Sequence, residues 1–152
     1  MKKVFNALIM VSVMLTALSF TGCKNDAEEI TTVAVFTCTD EEGTSTLYCY
    51  SNNEYKTHIK KTDEDGVKLD LDIAAGTYTG SPENDGTCTF KTTKGVDPFS
   101  LNFLTSFLGG SEATLTNANF PLEDIPADQQ VTNTVTITNG QFTLEGAVYI
   151  RQ

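Results

Sequence analysis

The sequence of 152 residues contains no tryptophan, one histidine and four prolines. Its 10 basic side chains stand against 20 acidic ones, a formal net charge of −10. No basic cluster offsets this balance, since Lys60-Lys61 runs almost at once into Asp63-Glu64-Asp65. Such a chain repels nucleic acid and anionic head groups, so a nucleic-acid partner is not expected. One histidine rules out a His-rich zinc site. A Ser-His-Asp triad would have to use His58, and no Gly-x-Ser-x-Gly elbow accompanies it. A long unbroken apolar run is also missing. Residues 4–20 are apolar but interrupted by Asn6, Ser12, Thr16 and Ser19, short of the roughly 20 predominantly apolar residues that a membrane-spanning helix needs.

What stands at the start is Met1-Lys2-Lys3, then that short apolar stretch, then small residues. This is the layout of a cleaved secretory signal. At its exit, Phe20-Thr21-Gly22-Cys23 resembles the lipobox of bacterial lipoproteins, in which a small residue precedes the cysteine and an apolar one lies three before it; Phe20 occupies the place where Leu is commoner. The resemblance implies a signal peptide over residues 1–22, a diacylglycerol thioether on Cys23 and a palmitate-type chain on its amine. One acyl chain holds a protein marginally, whereas two or more anchor it stably. Lys24-Asn25-Asp26-Ala27-Glu28-Glu29 is similar to the charged tethers that direct some Gram-negative lipoproteins to the cell surface. The implied location is the outer membrane or cell surface, with the membrane a partner through the lipid on Cys23.

Processing at that point removes Lys2 and Lys3 and moves the net charge from −10 to −12. The remaining chain divides into a flexible tether over 23–30 and one domain over 31–152. The full chain carries 24 threonines, and Thr, Val, Ile, Tyr and Phe suit a pleated, half-buried surface. In residues 31–39, Ala34, Phe36 and Cys38 share one parity and Val33 and Val35 the other. Asp40-Glu41-Glu42-Gly43 turns the chain into a return strand holding Leu47, Tyr48, Cys49 and Tyr50. Tyr55, Thr57 and Ile59 alternate with Lys56, His58 and Lys60. Val67, Leu69, Leu71 and Ile73 alternate with Lys68, Asp70 and Asp72, and a separate short strand follows Gly76. After a turn-rich loop over 81–86, Cys88 and Phe90 share a face.

The clearest local signal is Asn139-Gly140 between residues 135–138 and 141–144, which predicts a hairpin with a type I′ turn. Its register would set Val135 and Ile137 against Leu144 and Phe142, with the second strand running on through Val148 and Ile150 on the same face. One segment departs from the β grammar. Asp97-Pro98 reads as an N-cap followed by proline at the first helical position. Phe99, Phe103 and Phe107 follow at helical spacing, and Gly109-Gly110 supplies a stop. The expectation is an all-β single domain, a β-sandwich or Greek-key barrel of about eight strands, with one short helix near residues 98–108.

With Cys23 assigned to lipid, Cys38, Cys49 and Cys88 remain for disulfide pairing in an oxidising compartment. A turn centred on Gly43-Thr44 would place Cys38 opposite Cys49; a four-residue turn shifts the register and frees either for Cys88. A catalytic thiol would need a basic neighbour and partial exposure, and no sequence feature links His58 to a cysteine. On the polar parity of its strand, His58 is expected to face solvent. Asp63, Asp65, Asp70 and Asp72 form the densest acidic cluster, yet Lys61 occupies the first position of a would-be calcium loop and no Glu closes it. Neither metal, cofactor nor catalytic residue is therefore expected.

From residue 98 to 111 no side chain is charged. The ordinary role of such a stripe is core packing, with Phe99, Phe103 and Phe107 turned inward. The functional alternative is a contact surface made by those rings, with Tyr48, Tyr50 and Tyr78 as further platforms. The chain most resembles the small all-β lipoproteins of Gram-negative envelopes. The resemblance implies a lipid-anchored binding or structural module for a protein or glycan. The alternatives are a carrier of a small apolar ligand in a barrel closed by the 98–108 helix and, weaker still, a hydrolase.

Overall fold

The computed structural model describes residues 28–62, 66–108 and 112–152. The signal segment, Cys23 and most of the tether lie outside them, as do Asp63, Asp65 and Gly109-Gly110. Ten strands and one helix follow in order: β1 (Thr32–Thr39), β2 (Gly43–Tyr50), β3 (Glu54–Thr62), β4 (Lys68–Thr79), β5 (Gly86–Gly95), α1 (Pro98–Phe107), β6 (Thr114–Thr116), β7 (Glu123–Asp124), β8 (Thr132–Ile137), β9 (Gln141–Leu144) and β10 (Ala147–Arg151). The described residues are all-β with one short helix.

Strands β1 to β5 form an antiparallel meander. At one edge β5 pairs with β8 and with the short β7; at the other, β1 pairs with β10 and β10 with β9. The sheet curls until β8 and β9 are joined by Asn139-Gly140. Both turn residues have positive φ, 51° and 72°, as the predicted turn type requires. The expected ladder beyond it does not form. Only Thr138 and Gln141 bridge; beyond them β8 runs with β5 and β9 with β10. Val135, Ile137 and Phe142 are nonetheless buried together and Leu144 packs beside them.

The expectation for Val148 and Ile150 is corrected. Glu145 and Gly146 adopt positive φ, 51° and 85°, and reverse the chain, so Ala147 pairs back onto Leu144. The reversal turns Tyr149 inward against Phe142, with ring centroids 5.2 Å apart, and leaves Val148 and Ile150 exposed. A second correction concerns residues 67–79, which form one strand after Val67 rather than two. Gly76 lies inside β4, where a Cβ would stand 1.9 Å from the Lys91 carbonyl oxygen. Irregular pairing at Thr57/His58 and Ala75/Gly76 bends this long strand.

The register defines two poles. Thr32–Tyr50, Glu54–Thr77 and Gly86–Ile137 pairs lie at the lower pole, and Thr39–Thr44 and Thr62–Lys68 pairs at the upper one. At the lower pole Asp85 accepts from the backbone N–H groups of Asn139 (2.6 Å) and Gly140 (3.0 Å) and from Arg151 (2.7 Å). The main core, with Phe36, Leu47, Cys49, Tyr55, Tyr78 and Phe90 among its members, fills the curl. A second cluster of Ile59, Val67, Leu71 and Leu115 lies under α1.

Candidate interaction surface

Helix α1 begins where the sequence places it. The Asp97 carboxylate accepts from the Phe99 N–H (3.0 Å) and the Ser100 hydroxyl (2.6 Å), which hold the carboxyl below its ordinary pKa, the hydroxyl bond being the larger cause. Pro98 follows in the first turn. Leu101, Leu104 and Leu108 pack against the second core cluster. The phenylalanines therefore point the other way: Phe99, Phe103 and Phe107 are 79%, 63% and 77% exposed. The core-stripe expectation is overturned. Both faces of the segment are apolar, and the leucine face is the one seated on the cluster. Phe103 and Phe107 stack on each other, 6.3 Å apart with 15° between planes. The result is a row of three rings on a helix fixed from behind.

The tyrosines divide. Tyr48 and Tyr50 are half-buried on β2. Tyr78 is 5% exposed and donates its hydroxyl to the Tyr50 carbonyl at 2.7 Å. It is a core residue rather than a contact platform. Burial pushes its hydroxyl up to about 12.

The three thiols are unpaired. Asp40 accepts from the N–H groups of Glu42 (3.0 Å) and Gly43 (2.9 Å), which centres the turn on Glu41-Glu42. Thr39 then pairs with Thr44, Cys38 with Ser45 and Cys49 with Ala34. Four residues of β2 separate the Cys38 partner from Cys49, about 13 Å, whereas a disulfide needs Cα atoms within about 7 Å. The Cys38–Cys49 pairing is thus corrected by register. Cys49 and Cys88 lie in the main core, and burial raises both thiols, Cys49 to about 12.

His58 does not stand free in solvent. Its Nδ1 is 2.9 Å from an Asp72 oxygen and its Nε2 2.9 Å from an Asp70 oxygen, while Lys56 reaches the other Asp72 oxygen at 3.1 Å. A general base needs a nitrogen left over for the nucleophile, and here both are taken by carboxylates. The charge ladder across β3 and β4 is a structural ion network on the outer face. Sequence reading placed these residues on one parity but missed the clamp, whose signal was the pairing of His58 with Asp72 once β3 and β4 were recognised as neighbours. Asn117 adds to it by accepting from the Asp72 N–H (2.8 Å) and donating to the Asp72 carbonyl (3.1 Å). No protein-family model matches this chain, and no curated protein or solved structure is similar to it.

Proposed function

We propose that the protein is a lipid-anchored envelope or cell-surface module that binds a protein partner through the phenylalanine face of α1. The observation that carries this reading is the outward row of Phe99, Phe103 and Phe107 on a helix whose leucines are already seated in the core. Aromatic anchors on a preorganised element give affinity without a large ordering cost, and exposed apolar patches tend to mark contacts. The patch carries no charge in a chain whose net charge is −10. Glycan recognition draws less support, because Tyr78 is withdrawn into the core.

A protein fits this surface better than the membrane does. The tether joins β1 at the lower pole, beside Ser51, whose N–H donates to the Thr31 carbonyl. Helix α1 covers the upper half of β4, packing on the cluster that holds Val67, Leu69, Leu71 and Ile73. Thr31, where the proposed tether would join, lies at the pole away from the rings, and an anionic surface would repel so acidic a chain.

The test places a photoreactive benzoylphenylalanine at position 103 in intact cells and, as a control, at position 37 on the outer face of β1. A discrete protein adduct from position 103, absent at 37 and lost when Phe99 and Phe107 are changed to serine, is the expected result. Adducts to lipid alone would overturn it. In the same cells Cys23→Ala is expected to release the protein from the membrane fraction; a membrane-bound variant would remove the lipid anchor from the reading.

A further inference from the structure

The incomplete β8–β9 hairpin leaves a wedge in the wall of the curl. Beside it lies a pocket of about 210 Å³ lined by Leu47, Ile73, Phe90 and Phe142, with Asn133 from β8 and Glu145 beyond β9 also in its lining. None of its lining residues belongs to α1, so the helix is not its lid. The wedge is the mouth.

Two features inside the pocket point to a ligand. The first is an aromatic wall: Phe142 lies 6.2 Å from Phe90 and 5.2 Å from Tyr149, in stacked arrangements. A flat apolar body fits against such rings. The second is a hydrogen-bond donor with no fixed acceptor. The Tyr55 and Thr92 hydroxyls share one bond at 2.6 Å. Two hydroxyls carry two protons, and one bond uses only one. Tyr55 is buried, Thr92 is half-buried, and both line the pocket, which puts the leftover proton at its wall. The Asn133 amide, which has no side-chain hydrogen bond among the described residues, adds donors at the rim. The volume falls below the roughly 300 Å³ at which pockets for drug-sized ligands begin, which limits the ligand to about one or two rings.

We propose that this pocket binds a small, flat, ring-sized apolar molecule bearing one oxygen acceptor, which enters through the β8–β9 wedge and places its oxygen against the Tyr55–Thr92 hydroxyl pair. The site is independent of the phenylalanine face, so either can fail alone.

Acetophenone and ethylbenzene make a matched pair of probes, alike in shape and differing in one carbonyl. Amide-resolved NMR titration of the full chain is expected to show saturable shifts along β5, β8 and β9 with acetophenone. Ala74 lines the same pocket, and Ala74→Leu, by filling it, is expected to weaken acetophenone at least tenfold. Thr92→Val removes one hydroxyl with little change of shape. It is expected to weaken acetophenone several-fold and leave ethylbenzene unchanged, and this arm stands even if Ala74→Leu does not fold. Phe103→Ser should change neither. Shifts that never saturate, shifts that cluster on α1, or equal losses for both probes in Thr92→Val would overturn the proposal.

Discussion

Single side chains set the chemistry of this molecule by where they are held. Cys49 and Cys88 are buried, and burial raises both thiols; a thiol rather than a thiolate is a poor nucleophile. Cys38 is partly exposed. Alkylation followed by mass mapping is therefore expected to label Cys38 in the folded protein, and Cys49 and Cys88 only after unfolding. Asp85 makes a second prediction at this scale. Its carboxyl is held below the ordinary value of 3.8, first by the Gly140 and Asn139 N–H groups and then by Arg151. A carboxyl lowered on folding stabilises the protein above the unfolded value, and that contribution is lost as pH falls through the lower folded value. The stability difference between the native protein and Asp85→Asn, read as urea midpoints, is expected to be constant above about pH 5 and to shrink as the pH drops below about 4. A difference that widened in acid would contradict the assignment.

Among the elements, α1 separates two kinds of apolar residue. Leu104→Ala removes a partly buried leucine packed on the cluster of Ile59, Val67, Leu71 and Leu115 and is expected to cost about 2 kcal/mol. Phe103→Ser, on the exposed face, is expected to change stability by less than about 0.5 kcal/mol. Chemical denaturation of the two variants checks both, and a Phe103 variant as destabilised as the leucine one would place that ring in the core. The helix limits were legible because Asp97-Pro98 is a local signal. Its orientation was not, since leucine and phenylalanine rows both lie at helical spacing, and no charged residue marks the outer face. The turns follow the same logic. Asn139-Gly140 announced itself through residues that tolerate positive φ. Glu145-Gly146 did not, because glutamate is an unusual occupant of that conformation. The Cys38 register depended on Asp40 capturing two backbone N–H groups, a side-chain event that strand periodicity does not report. The wedge and its pocket lie where β8 follows β5 and β9 follows β10 beyond the turn, an arrangement that only the full topology decides.

Across the described residues, the protein is a curled sheet with the start of β1 at one pole and its aromatic row toward the other. The all-β class was legible in the threonine-rich composition and the period-two strands. The poles were not, because they depend on which strands become neighbours. One of those neighbour choices has a consequence in time. Strand β1 sits between β2, its nearest relation along the chain, and β10, its farthest; Gln152 bonds back to Val35 and Thr37 across 115 residues or more. Arg151 also ties Asp85 and the Pro82 carbonyl to the last strand. Long-range closures of this kind come late and slow the folding of β proteins into the millisecond-to-second range. The first strand thus waits for the last, and a chain still lacking β10 stays open. Until then one edge of β1 lacks the partner that β10 supplies.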